Sequence, residues 1–503
     1  MRTNPQLKES HKLTDAQMRD FIVNGHLTIK TGLPRSFHET IYRKTQELTE
    51  KEGNLGNNIL PRVPELQAVF EEPAVRGAFT SILGENYAMH SHRHPHQNRP
   101  HSDGQGFHKD SYWGYQKVRH HCPRWAMAFY YPQDSPLQIG PSAVLPGTQY
   151  YDTRITKDND GELALSGEAG TLTIIHFDLW HRAIANQTDK TRYMMKFQFI
   201  RMDAPRKPEW NVTDPHWKLG DVDSAIPAHQ GTWRHVWNWV VGESNGNATQ
   251  SVSNGDLAKH IAALADDDAA VRSRAADDLG TLDESGAEAI PHLIQALCDR
   301  YEPVRLNAAY ALGSIGAPAV PELIETLGVE DPIMRRMAAY ALAAVGEPAA
   351  SALSEALQHP DDAVRLEATY ALAQIGAPAE SAIPALMERT RDECVEVRRY
   401  LAEAFGGLGP IAAPAVPVLT DMLGSDEDGQ ARFEAALALG QIGPAASDAI
   451  PVLAKAFSDE NRYVRDNAVL ALKRIDTPEA ESALFDYLLM ARWCPITNRE
   501  STF

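Results

Sequence analysis

The chain has 503 residues, 43% hydrophobic and 23% charged, which is too long for one hydrophobic core at roughly 100–200 residues per domain and too apolar for a disordered chain. The net charge of -19 is unevenly spread: residues 1–250 hold 28 Lys+Arg against 27 Asp+Glu and residues 251–503 hold 20 against 40, while 16 of 19 histidines and 8 of 9 tryptophans fall in the first part. Two differently built halves follow, neither basic enough to predict a nucleic-acid partner.

The N-terminal MRTNPQLKESHKLT has no apolar run behind its charges, and no stretch of about 18 apolar residues occurs anywhere, so neither secretion nor a membrane partner is expected. Cys122, Cys298, Cys394 and Cys494 are too scattered for a zinc pair or a disulfide framework. A cytoplasmic location is the expectation. LTDAQMRDFIVNGHLTI then predicts an amphipathic helix capped at Thr14 or Asp15, ended by Asn24-Gly25 and followed by a strand. AMHSHRHPHQNRPHSD brings His90, His92, His94 and His96 in alternation, which as a strand puts them on one face. In the same stretch Arg93, Gln97, Asn98 and Arg99 are candidate donors to a polar or anionic small-molecule substrate. RWAMAFYY, GTLTIIHF and RYMMKFQFI are rich in β-branched and aromatic residues with turns between them, an all-β core with flanking helices. TWRHVWNWVVG reads as an aromatic helix or extension packed on that core.

Within the β region three His-x-Asp pairs occur, at His101/Asp103, His108/Asp110 and His176/Asp178. Residues two apart on a strand share a face, so such a pair converges on one ion. The first pair sits in a Pro/Gly-rich loop. His108/Asp110 instead opens into the aromatic run SYWGY, which suits the lip of a barrel. His181 can add a second imidazole, completing the two-histidine, one-carboxylate set of a non-haem Fe(II) centre with positions left for a cosubstrate and O2. Arg192, eleven positions after His181, can clamp the far carboxylate of a dicarboxylate; His176 has Gln187 at that offset, which carries no charge.

The stretch 242–255, GESNGNATQSVSNG, predicts a flexible connector. Beyond it a "Val-Arg, Ala-Ala, Leu-Gly" pattern recurs about Arg272, Arg305, Arg335, Arg365, Arg398, Arg432 and Arg465, spaced 33, 30, 30, 33, 34 and 33 residues apart. A pair of helices cannot bury its apolar face alone, whereas about seven stacked pairs over 256–490 form a continuous all-α solenoid. Its arginines are expected to be structural, with heads on neighbouring carbonyls or a repeat's Asp. The repeats resemble the short HEAT-like repeats also found in phycobilin lyases. Such surfaces suit a protein partner or self-association. A 13-residue tail, 491–503, remains.

LTDAQMRDFIVNGHL, H-K-D at 108–110, IGPSAVLPGTQ at 139–149 and F-D-L-W-H-R-A-x-x-N at 177–186, with Arg192 behind, resemble the phytanoyl-CoA dioxygenase family over nearly all of residues 1–241. The resemblance implies a double-stranded β-helix (jelly roll, cupin-like) and a dioxygenase using Fe(II), 2-oxoglutarate and O2. It matches His108, Asp110 and His181 to the iron ligands, Arg192 to the 2-oxoglutarate clamp and Trp125 to an aromatic of the cosubstrate pocket. The family's "PGSH" reads Pro146-Gly147-Thr148-Gln149 here. The histidine-rich stretch argues against carrying over a fatty acyl-CoA substrate. A small-molecule hydroxylase with interaction repeats is the leading expectation; a protein-directed hydroxylase whose repeats recruit the target, and a non-catalytic scaffold, are the alternatives.

Overall fold

The computed structural model describes residues 8–110, 120–155, 160–243 and 254–490. The aromatic run at 111–115, most of the 242–255 connector and the 491–503 tail lie outside the described residues. The chain forms two compact units, Met1–Ala352 and Leu353–Phe503.

In the first unit, helix α1 (Asp15–Asn24) starts at Thr14, whose hydroxyl accepts from the Gln17 amide while the Gln17 side chain accepts from the Thr14 amide. This reciprocal cap satisfies two otherwise orphaned donors. The helix stops at Gly25, φ 74°, where a Cβ would come within 2.5 Å of Gln149 Oε1, so both the left-handed backbone and the space demand glycine. β1 (His26–Lys30) follows directly, then helix α2 (Arg35–Glu52). Helices α3 (Leu66–Glu71) and α4 (Pro73–Leu83) precede β2 (Ala88–Asn98). The remaining strands are β3 (Trp125–Tyr130), β4 (Ser142–Val144), β5 (Leu163–Ala164), β6 (Thr171–His176), β7 (His181–Ala183) and β8 (Arg192–Ile200).

Every pairing is antiparallel, in a five-stranded sheet ordered β1-β6-β3-β8-β2 and a three-stranded sheet ordered β5-β4-β7. Alternation along the strands decides what each face does. Ala126, Ala128, Tyr130, Leu172, Ile174, Phe197 and Phe199 are buried on the helix side. There the Phe70 and Phe79 rings lie 4.5 and 4.0 Å from Phe197 and Phe199. Each of the Leu, Ile and Phe side chains contributes about 1.5–3 kcal/mol of burial, which is ample to fix the strand register. The other face turns toward the small sheet, with Phe129 of β3 5.5 Å from His181 of β7. The jelly roll therefore has a dry, helix-covered side and an inner side that carries polar groups.

Helix α5 (Gln230–Val241) is the aromatic segment, with Trp233 and Trp237 fully buried. The first repeat helices, α6 (Ala269–Leu279), α7 (Glu302–Ile315) and α8 (Pro332–Val345), belong to the same unit. Leu306, Tyr310 and Ala344 join the hydrophobic cluster of the β domain.

The second unit stacks α9 (Asp362–Ile375), α10 (Val395–Leu408), α11 (Gly429–Ile442), α12 (Arg462–Ile475) and α13 (Pro478–Met490). Its recurring arginines clasp an Asp of the next repeat: Arg365 with Asp392, Arg398 with Asp426, and Arg432 with Asp459, each through two nitrogens at 2.7–3.1 Å. A second nitrogen set reaches carbonyls six residues back, at His359, Asp392 and Asp426. The arginines thus have the structural role their spacing predicts. Val395–Ser425 and Gly429–Ser458 are apolar and long enough to cross a membrane by length and composition alone, yet each contains a turn and is 61% and 56% buried within the array.

Candidate metal centre

His108 and His181 face one another as a bridged antiparallel pair, His108 N to His181 O at 2.9 Å and His181 N to His108 O at 3.0 Å. Their rings are 4.5 Å apart. Asp110, two residues on, returns to the same face, with Oδ1 3.7 Å from His181 Nε2. One ligand atom from each of the three lies within 4.8 Å of the others, and among the described residues no other such group of His, Cys, Asp and Glu occurs.

Tautomers are fixed from behind. His108 Nδ1 lies 3.0 Å from the Gly106 carbonyl and His181 Nδ1 2.9 Å from the Leu179 carbonyl. A carbonyl only accepts, so each Nδ1 donates, which leaves Nε2 as the ring atom available to a metal. Burial pushes His181 down to about 4, against the opposing pull of Asp110, so the ring is neutral near pH 7. Burial alone would raise Asp110, but the ammonium of Lys196 and the neighbouring His181 hold it well below the usual carboxylate range. Two imidazoles, each with Nδ1 turned back to a carbonyl, and one ionised carboxylate on one face make the donor set that suits a ferrous ion. The residues present therefore fit the metal.

Arg192 opens β8 and is 1% exposed. Its Nε donates to the Gly140 carbonyl at 3.0 Å, and the guanidinium lies 5.9 Å from the Tyr131 ring centroid. Among the described residues no carboxylate pairs with it. A buried cation without a counter-charge is costly, and it suits an anionic ligand. Gly140 is itself constrained: φ is 69°, and a Cβ would come within 2.3 Å of Asn98 Nδ2 and 2.4 Å of the Ile184 carbonyl. Trp125 is on the inner face of β3, four residues before Phe129, its ring 5.3 Å from His90 and 6.1 Å from Phe177.

The four expected substrate donors are not brought beside the triad. β2 pairs with β8 in the register His94–Lys196, His96–Met194 and Asn98–Arg192, with a shift between Met89 and Arg93. Cross-strand partners share a face, so His94 and His96 look inward while Arg93 and Gln97 look toward the helices. Arg93 donates to the Asn57 carbonyl at 3.2 Å. Asn98 is inward but spends its amide on the Gly140 and Ile184 carbonyls, both at 2.8 Å. Arg99 is exposed beyond the strand. Of the alternating histidines, His94 and His96 look inward by register and His90 packs against the inner Trp125 ring, while His92 lies within the register shift, where no pairing assigns it a face.

Lys196 was not among the candidates read from the sequence. Its Nζ donates to Asp110 Oδ2 at 2.5 Å. Its position four residues after Arg192 on the same strand is the signal that marks it.

Residues 36–194 match the model of the phytanoyl-CoA dioxygenase family, and residues 257–328, 320–406, 383–455 and 416–493 match that of HEAT repeats. No curated protein matches the chain. Among solved structures it is similar to the non-heme α-ketoglutarate-dependent carbocyclase SnoK from nogalamycin biosynthesis, at 19% identity over 39% of this chain and 87% of that one, TM-score 0.31. It is also similar to the epimerase SnoN in complex with Fe3+, α-ketoglutarate and nogalamycin RO, at 13% identity over 43% and 96%, TM-score 0.33. An engineered protein is similar at 23% identity over 46% and 71%, TM-score 0.30. By its family-model matches the chain carries a phytanoyl-CoA dioxygenase domain over residues 36–194, which supports a dioxygenase, joined to HEAT repeats.

Proposed function

We propose that the chain is an Fe(II)/2-oxoglutarate-dependent hydroxylase of a polar or anionic small organic molecule. The observation that carries this reading is the convergence of His108, Asp110 and His181, together with a buried Arg192 that has no carboxylate partner among the described residues. The three ligands hold the iron through two Nε2 atoms and one carboxylate oxygen. Arg192 binds the distal carboxylate of 2-oxoglutarate, with the Tyr131 ring beside its guanidinium; Trp125, expected in that pocket, is instead paired with Ile200 at the opposite end of β8 from Arg192. Bound iron with 2-oxoglutarate and O2 supplies the oxidising power for C–H hydroxylation. The chain's own residues bind, orient and exclude water.

Asp110 favours hydroxylation over halogenation, because a carboxylate at that position occupies the site a halide needs. His94, His96 and Lys196 give the inner wall a polar character that suits a polar substrate better than a fatty chain. The HEAT repeats are read as a surface for a protein partner or for self-association, and the scattered cysteines suit the cytoplasm. The test is anaerobic addition of Fe(II) and 2-oxoglutarate, followed by O2 and a panel of small polar acids. Succinate release that rises with one of them, and that Asp110→Ala abolishes, is the expected result; equal release from the Asp110→Ala variant contradicts the assignment.

A further inference from the structure

Repeat helix α7 and the metal ligands are joined by one short segment, Thr148–Thr153. On its inner side the segment holds the neighbours of the ligands. Lys109, between His108 and Asp110, donates from Nζ to the Thr148 carbonyl at 3.2 Å and to the Gln149 carbonyl at 3.4 Å. Trp180, next to His181, donates from Nε1 to the Tyr151 carbonyl at 3.3 Å, and Lys109 Nζ lies 5.7 Å from the Trp180 ring centroid. The neighbours of all three ligands therefore hang on four consecutive residues.

On its outer side the same segment is held by α7. The Glu302 carboxylate accepts from the Asp152 amide at 2.6 Å, from the Thr153 amide at 3.0 Å and from the Thr153 hydroxyl. Asn307 donates its amide to the Ala228 carbonyl at 3.0 Å and to the Ser273 carbonyl at 2.9 Å, which leaves Oδ1 to accept from His229 Nδ1. His229 Nε2 must then accept from the Tyr151 hydroxyl. Tyr151, His229 and Asn307 are at most 2% exposed, so water cannot take over these bonds.

We propose that α7 of the repeat array is a built-in part of the metal site, with Glu302 and Asn307 as positioning residues that set the ligand-bearing backbone through Thr148–Thr153. The repeats thereby have two separate tasks. Those within Met1–Ala352 complete the enzyme, and those of Leu353–Phe503 are the ones left for an interaction partner. The inference rests on the iron site proposed above, since it concerns how that site is held.

The experiment measures Fe(II) affinity of the full chain anaerobically with saturating 2-oxoglutarate, by the charge-transfer absorption of the ternary complex, and in parallel the melting temperature without metal. Glu302→Gln and Asn307→Ala are compared with Arg234→Ala. Arg234 ties α5 to the same repeats through the Gly280 carbonyl at 2.9 Å, Asp283 at 3.0 Å and Ser314 at 3.0 Å, without touching the segment. Glu302→Gln and Asn307→Ala are expected to weaken iron binding about tenfold, as loss of outer-shell support does, with Arg234→Ala lowering the melting temperature only. Equal iron affinity in all three variants, or equal loss in all three, overturns the proposal. Should the α7 variants fail to fold, Tyr151→Phe removes only the hydroxyl facing His229 and is expected to weaken iron binding in the same direction; wild-type affinity in that variant overturns the proposal equally. A wild-type chain that binds no iron sinks the hydroxylase reading itself, a distinct outcome.

Discussion

Lys196 and Asp110 form an ion pair inside the jelly roll, Nζ to Oδ2 at 2.5 Å, with both side chains under one-fifth exposed. The ammonium takes one carboxylate oxygen and leaves Oδ1 toward His181. It also keeps Asp110 ionised where burial would otherwise protonate it. In Lys196→Met the largest opposition to burial is gone, only the two histidines remain to offset it, and the Asp110 pKa rises. Protons then compete with the metal at higher pH, and the acid midpoint of Fe(II) binding should move up by roughly one to three pH units. Titration of metal binding against pH in the two proteins checks this; superimposable midpoints contradict it.

Arg192 is a buried guanidinium with no carboxylate partner among the described residues. Arg192→Leu should cost about 1.5–3 kcal/mol of 2-oxoglutarate binding, the range for a hydrogen bond to a charged group. The same change should leave the ligand-free protein at least as stable, because an uncompensated buried charge is removed. Calorimetric titration with 2-oxoglutarate and a ligand-free melt read the two effects separately. A large loss of stability with unchanged 2-oxoglutarate affinity reverses the assignment.

His176 and His229 are buried and neutral, burial pushing their pKa values down to about 3 and about 4; the Lys109 charge adds to the effect on His176. Unfolded, each titrates near 6.5. Below that pH the unfolded chain takes up protons the folded one refuses, so stability falls as pH drops from about 6.5 toward 4. The slope is about 1.4 kcal/mol per pH unit for each histidine. Melting temperatures between pH 7.5 and 4.5 should drop steeply for the wild type and less steeply for His229→Gln. Parallel profiles would count against this account.

Removing the repeats at residue 245 strips Leu306, Tyr310 and Ala344 from the β domain's hydrophobic cluster and leaves His121 without the Tyr310 hydroxyl 2.6 Å away. A chain ending at 245 is expected to melt well below the full chain or to be insoluble, whereas one ending at 352 keeps the whole first unit. Equal melting of the 245 and full-length chains contradicts the integrated unit.

Much of the candidate site was legible because its residues obey local rules. The His108-x-Asp110 pair uses strand alternation, and the His181-to-Arg192 offset follows from one strand ending and the next beginning. Lys196 obeys the same alternation, but it is hidden in RYMMKFQFI, whose apolar neighbours read as core. Arg93 and Gln97 were assigned to substrate from composition, and the register of β2 on β8 turns them to the helix side. The union of the first repeats with the β domain was illegible for a different reason. Asn307 meets His229, and Glu302 meets Thr153, across long sequence separations that no periodicity encodes. The repeat pattern in 256–352 also looks like that of the later repeats, so nothing in it separates enzyme from array.

The most direct test is diffraction at the iron absorption edge from crystals grown anaerobically with Fe(II) and 2-oxoglutarate. One anomalous peak per chain, bonded to Nε2 of His108, Nε2 of His181 and an oxygen of Asp110, with a ligand carboxylate on Arg192, is the predicted result. Iron seated elsewhere, or no peak at a concentration that saturates known ferrous sites, contradicts the account.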